Sequence, residues 1–334
     1  SYHRLTSEAQ PVMANSMEPL LEIPCNPVPE RTSAGFFTTF DGKKLRYALV
    51  KAVGRPMKGT VVLMQGRNEC LEKYFETAND LSKRGFGVAM FDWRGQGGSD
   101  RLLRDPAKGY VGSFDDHVRD LERFFEHIVL PDCRAPFYIL AHSAGALAVL
   151  AGAPAMINRV RRMVLVAPFL ELADSRIGMR GAWRLATLLC WLGLGRFYAS
   201  RGTRPGDSIP FPVNQVTTDP TRYARNVLLY KTHPRLALGG PTVRWMKAAT
   251  DAALAVREPA FMARIQVPIL FVAAGADEVV STPAVEAYAR GLRSGSVLTI
   301  DGARHEILQE ADIFREQLLA AFEAFVPGTD MALA

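Results

Sequence analysis

Apolar runs of strand length recur along this chain with room for a helix between most of them, and that alternation restricts the fold more than any other feature. The runs are TVVLMQG, GFGVAMFDW, FYILA, VRRMVLVAPF, VPILFVAAG and SVLTIDG. Helical stretches are predicted at about Leu71–Arg84, Phe114–Leu130, the Ala/Leu-rich segment after Ser143, Pro283–Leu292 and Ile307–Phe325. Strands that are apolar throughout, rather than at every second position, are buried on both faces. The pattern therefore predicts an α/β architecture, a mostly parallel, doubly wound sheet with helices on both sides. Ahead of it, GFFTTFDGKKLRYALV reads as a hairpin turning at Asp41-Gly42. From about Leu170 the alternation stops, and Arg-, Gly- and Pro-rich sequence with helical patches takes over until about Val256. The expected organisation is a Pro-rich extended arm over 1–35, a core built from 36–169 and 257–326, and an inserted, mainly helical cap over 170–256.

Chemistry is concentrated at strand ends. AHSAG, Ala141 to Gly145, stands between a strand and a helix. A serine hydroxyl is a poor nucleophile unless it is presented to a base and its developing oxyanion is stabilised. A sharp strand-to-helix turn does both, provided that small residues flank the serine at two positions before and two after. Ala141 and Gly145 meet that need, alanine standing where the usual G-x-S-x-G signature has its first glycine. The turn would thrust the Ser143 hydroxyl out of the sheet and aim the Ala144 N–H at a substrate carbonyl. A second donor is expected from the loop QGRNE, where Gly66 lets the backbone turn and the Arg67 N–H can face the same oxygen.

The base must titrate near neutral pH, which points to histidine. Of the six, His3 lies in the arm, His117 and His127 on one helix, His142 beside the serine and His233 in the insertion, whereas His305 follows the strand SVLTIDG. Carboxyl ends of strands are where α/β sheets build their sites. An acid to orient that base should lie between serine and histidine at the end of another strand. Asp277 in AAGADEVV fits, with Glu278 and Glu171 as rivals. Taken alone, Asp277 also reads as a helix N-cap and Ser143 as ordinary helix packing. The order Ser143, Asp277, His305, each after a successive strand, is what points to nucleophile, acid and base.

These motifs name a resemblance. VVLMQGRNECLEKY, FDWRGQGGSDR, AHSAG, VAAGADEVVS and DGARHEI resemble the serine hydrolases of the bacterial lysophospholipase and monoacylglycerol lipase group, within the α/β-hydrolase superfamily. There the loop after the third strand commonly reads H-G-x-x-E, and here Gln65 replaces the histidine. The insertion segment TTDPTRYARNVLLY is similar to the bacterial lysophospholipase-like branch. The resemblance spans about Gly35 to Phe325. It implies the α/β-hydrolase fold, a triad of Ser143, Asp277 and His305, oxyanion donors at Arg67 and Ala144, and no metal or organic cofactor.

Substrate choice is expected in the insertion. In WRLATLLCWLGLG, Trp183, Leu188 and Trp191 are candidates to line an acyl-chain pocket, or else form the cap's own core. Six arginines lie between Glu171 and Arg204 against Glu171 and Asp174, which suits a phosphate head group or peripheral contact with an anionic membrane surface. The expected function is hydrolysis of carboxylic esters, of a single-acyl lipid such as a lysophospholipid or monoacylglycerol. Alternatives are a small-molecule esterase, an amidase or aminopeptidase of the same fold, and a non-catalytic ligand-binding homologue. A dehalogenase, which would place aspartate at position 143, is excluded.

The formal net charge of +6 comes without the like-charge blocks or aromatic–basic platforms of a nucleic-acid binder, so no nucleic-acid partner is expected. Four scattered cysteines make neither a metal site nor a disulfide framework, and point to a reducing, cytoplasmic setting. The first residues carry no apolar run of the signal-peptide kind. The longest apolar stretch, Leu185 to Gly195, is far short of the roughly 20 residues of a membrane span.

Overall fold

The computed structural model describes residues 20–327 except 201, 203 and 206. His3, most of the arm and Arg201 therefore lie outside the described residues. Eight strands form one sheet: β1 (Thr32–Thr38), β2 (Lys44–Val50), β3 (Gly59–Met64), β4 (Phe86–Phe91), β5 (Phe137–His142), β6 (Val160–Val166), β7 (Ile269–Ala274) and β8 (Gly295–Ile300). Their spatial order is β1-β2-β4-β3-β5-β6-β7-β8. The hairpin β1–β2 is antiparallel and joins β4 antiparallel; every other pairing is parallel. The hairpin turns where the Asp41-Gly42 pair predicts, with Gly42 at φ +80°. β3, β5 and β7 are buried at every residue, which is why their sequences read as unbroken apolar runs.

Helices cover both faces. α1 (Phe75–Lys83) follows a short 3-10 turn at Leu71–Tyr74. α2 (Phe114–Phe124) is capped by the Ser113 hydroxyl, which accepts the Asp115 N–H, and runs through a wide turn at Phe125–Val129 into α3 (Leu130–Asp132). α4 (Ser143–Gly152) starts at the serine itself and is buried at nearly every position, packed under α2.

Between β6 and β7 the chain makes α5 (Gly178–Trp191), α6 (Pro220–Thr232), α7 (Val243–Ala255) and α8 (Pro259–Met262), with no strand among the described residues. α5 packs on α7, and α7 packs on α4 and α2. The core closes with α9 (Thr282–Gly291) and α10 (Asp312–Phe325). The last helix begins later than its periodicity predicts. Glu310 is fully buried and tied to the Arg304 and Thr218 N–H groups, and its carboxylate also takes the Ala311 N–H, the donor that a helix running upstream would give to Ile307. Among the described residues, no helix is long and apolar enough to cross a membrane.

Candidate active site

Ser143 occupies the junction between β5 and α4 at φ +53°, a left-handed conformation that a non-glycine residue adopts only under constraint. The neighbours supply the constraint. A Cβ at Gly145 would stand 2.1 Å from the Gln65 carbonyl oxygen, so only glycine lets α4 approach the end of β3 this closely. Ala141 is fully buried in β5, in register with Met64 of β3 and Leu165 of β6. A Cβ at Gly66 would reach within 3.1 Å of the Ser143 Cβ.

The structure brings Ser143, His305 and Asp277 together. The His305 Nε2 lies 2.9 Å from the Ser143 Oγ, and its Nδ1 lies 2.8 Å from Asp277 Oδ2. With the ring proton on Nδ1 directed at the carboxylate, Nε2 is left to accept the serine proton. Asp277 Oδ1 accepts the N–H groups of Val279 and Val280 at 2.8 and 2.9 Å. Burial alone would raise the Asp277 pKa. The His305 bond and charge, with those two backbone donors, outweigh it and hold the carboxyl below its ordinary value. The rivals stand elsewhere: Glu278 is exposed, and Glu171 pairs with Arg257 at 3.1 Å. Of the other described histidines, His117 is buried against Trp93 and Phe114, His127 is exposed and His233 binds the Glu22 carbonyl.

Ala144 is in the first turn of α4, where backbone N–H groups have no acceptor within the helix. Arg67 and Ala144 both border the cavity above Ser143. That cavity has a volume of about 490 Å³. Its apolar wall comes from Phe169, Leu172, Val227, Trp245, Met246 and Val279. Trp245 is wedged edge-on against Phe114 and Phe169.

The expected acyl-pocket residues are not there. Trp183 donates its Nε1–H to Asp251 of α7 at 2.6 Å, while Leu188 is 52% and Trp191 80% exposed. The reason is the orientation of α5. Met179 and Ala186 face inward, and Arg180, Arg184, Leu185, Leu188, Trp191 and Leu192 make up its outer face. The cap arginines 176, 180, 184, 196 and 204 are likewise exposed and border no part of the cavity.

A buried polar network under the triad was not anticipated. Glu69 Oε2 accepts from the Gly66 N–H, from Tyr74 Oη at 2.8 Å and from His142 Nδ1 at 3.0 Å, while Oε1 pairs with Lys73 at 2.8 Å. Lys73 also pairs with Glu306 at 2.7 Å, and His142 Nε2 lies 3.1 Å from the His305 carbonyl. Burial would raise the Glu69 pKa, but Lys73 and His142 hold it well below the usual range. Burial would lower His142, but Glu69 raises it instead. Two signals pointed here: the glutamate of the G-x-x-E loop with Lys73 four residues on, and the acid next to His305.

Asp92 anchors the FDWRGQGG segment. Its carboxylate takes Arg46 Nε at 2.8 Å, Gln65 Nε2 at 2.9 Å and the Leu71 and Gly98 N–H groups, fixing the loop that carries Gly66 and Arg67. Among the described residues, no cluster of three His, Cys, Asp or Glu side chains is placed to hold a metal ion.

Comparison with known proteins completes this geometry. The family model described as serine aminopeptidase, S33, matches residues 55–312. The chain is 32% identical over 312 residues to lysophospholipase L2 of Escherichia coli (strain K12), covering 86% of each. It is 28% identical over 284 residues to the probable lysophospholipase L2 of Haemophilus influenzae, covering 85% of this chain and 88% of that one. Its fold is similar to a soluble variant of monoglyceride lipase from Saccharomyces cerevisiae solved with a substrate analogue, with TM-score 0.70, 20% identity, and 90% and 95% coverage. It is also similar to the monoacylglycerol lipase of Paleococcus ferrophilus, with TM-score 0.64, 21% identity, and 85% and 99% coverage.

Proposed function

The chain belongs to the α/β-hydrolase family described as serine aminopeptidase, S33, and on that premise we propose that it hydrolyses the ester of single-acyl lipids, lysophospholipids or monoacylglycerols, through an acyl-enzyme on Ser143. The observation that carries the reading is the cavity of about 490 Å³ above Ser143, apolar on one wall. A single acyl chain needs such an apolar wall. An aminopeptidase needs an anionic group for the substrate ammonium, and here Glu69 and Glu306 are both engaged by Lys73.

In this reading the Ser143 Oγ attacks the ester carbonyl as His305 Nε2 takes its proton. Asp277 holds the ring in the required tautomer and stabilises the imidazolium, and the Ala144 and Arg67 N–H groups receive the developing oxyanion. His305 then returns the proton to the leaving alcohol. A water, activated by the same base, releases the fatty acid. The segment 170–256 acts as the cap that shapes the cavity, through Val227, Trp245 and Met246. The outer face of α5, with Leu188 and Trp191 beside Arg180 and Arg184, is the part suited to peripheral contact with an anionic lipid surface.

The test is fatty-acid release from a lysophospholipid, a monoacylglycerol and a diacyl phospholipid, set beside aniline release from an aminoacyl anilide. We expect turnover of one or both single-acyl lipids at kcat/KM at least tenfold above the other two substrates. Faster cleavage of the anilide would replace this reading with an aminopeptidase.

A further inference from the structure

Arg67 brings a positive charge to the cavity that no described carboxylate balances. Of the two cations at its wall, Lys73 is held between Glu69 and Glu306. The Arg67 Nη1 instead donates to the Gly239 carbonyl at 3.1 Å, and the guanidinium lies 5.7 Å from the Trp245 ring centroid. Arginine carries five N–H donors, and one carbonyl leaves most of them for another acceptor. The head lies close over Gly109, where a Cβ would come within 3.0 Å of Nη1.

A purely structural latch does not account for this side chain. Asn68 already ties the loop to the insertion, its Oδ1 accepting the Leu238 N–H at 2.6 Å and its carbonyl the Tyr230 hydroxyl at 3.0 Å. Bringing a cation out of water without an anion costs free energy, and burial pulls the Arg67 pKa down to about 10, still charged at neutral pH. Asp207 is the remaining carboxylate of the wall, and it is exposed.

We propose that the Arg67 guanidinium is the head-group subsite of this cavity, taking the phosphate of a single-acyl lipid while the Trp245 and Val227 wall takes the chain. It rests on the lipid-ester reading above and deepens it. The placement is coherent: in a glycerol-based lysophospholipid only the glycerol carbons separate ester from phosphate, and Arg67 begins at the backbone that faces the ester. The planar fork of a guanidinium matches phosphate oxygens in a bidentate way that a lysine does not. The positive charge that reads the head group therefore comes from the loop after β3, not from the cap arginines.

The test is calorimetric binding of octyl phosphate, octyl glyceryl ether and inorganic phosphate, none of which is an ester substrate. Wild type should bind octyl phosphate roughly ten- to a hundredfold more tightly than the neutral ether, the range of hydrogen bonds to a charged group. Arg67→Gln should erase that preference, and Arg67→Lys should keep only part of it, with thermal melting to check that each variant is folded. Equal binding of phosphate and ether by wild type, or an unchanged preference in Arg67→Gln, would overturn the proposal. So would inorganic phosphate binding as tightly as octyl phosphate, which would make this a free-anion site. Failure of the lipid reading would appear in the fatty-acid assay, which this experiment does not use.

Discussion

Ser143 and Asp277 were each open to a bland reading by residue type, as helix packing and N-cap, and His305 was one histidine of six. What singled them out was their placement at successive strand ends, and the structure brings them within hydrogen-bond distance of one another. The Asp277 carboxylate is the most constrained of the three, with three polar contacts shared between His305 and the Val279 and Val280 N–H groups. Its pKa lies below the ordinary value, so it stays ionised throughout the range in which histidine titrates. Asp277→Asn would turn an acceptor into a donor facing the ring and favour the wrong tautomer. Turnover should fall by about 10⁴-fold, the cost seen when such an acid is neutralised in other serine hydrolases. Exposed Glu278 has no such contact, and Glu278→Gln should change turnover less than about threefold. Steady-state kinetics on a soluble ester separates them, and the reverse order would move the acid to Glu278. The Glu69–Lys73–Glu306 network was legible only in part: the spacing of Glu69 and Lys73 suits a pair, but nothing in a sequence says that residue 306 converges on them.

Among the elements, legibility followed burial. β3, β5 and β7 are apolar at every position because both faces are covered, and such runs announce themselves. α5 did not. Its sequence carries enough leucine and tryptophan for a core helix, and only the arrangement of the fold decides which face turns inward. α5 packs on α7 with Met179 and the small Ala186 buried, while Leu185, Leu188, Trp191 and Leu192 are exposed beside Arg180 and Arg184. Exposed apolar patches rimmed by charge mark interaction surfaces more often than accidents. If this face meets anionic lipid, Leu188→Ser with Trp191→Ser should weaken co-sedimentation with phosphatidylglycerol vesicles by tenfold or more. Binding by the unaltered chain should also fall as salt rises. Equal sedimentation of the double variant, or no binding by the unaltered chain, would remove α5 from any membrane role.

On the scale of the whole molecule, two helices of the insertion are fastened to helices of the core. Arg222 and Arg225 of α6 reach Glu76 of α1 at 2.6 Å each, and α7 lies directly on α4 behind the nucleophile. The described end of the arm adds a third tie. Ile23 packs with Cys70, Leu229 and Leu236, and Glu72 accepts the Leu21 N–H, so the arm bridges the loop of Arg67 and the insertion. The fastened helices α6 and α7 supply Val227, Tyr230, Trp245 and Met246 to the wall of the cavity that Ser143 also lines, and the central claim is that Ser143 is the nucleophile there. Intact-mass measurement after a fluorophosphonate probe at neutral pH tests it most directly. Wild type should gain the mass of one phosphonyl group, located by peptide mapping on Ser143. Ser143→Ala should gain none while melting at a similar temperature. Labelling of the Ser143→Ala protein to the same extent, or a wild type that stays unmodified, would contradict the account.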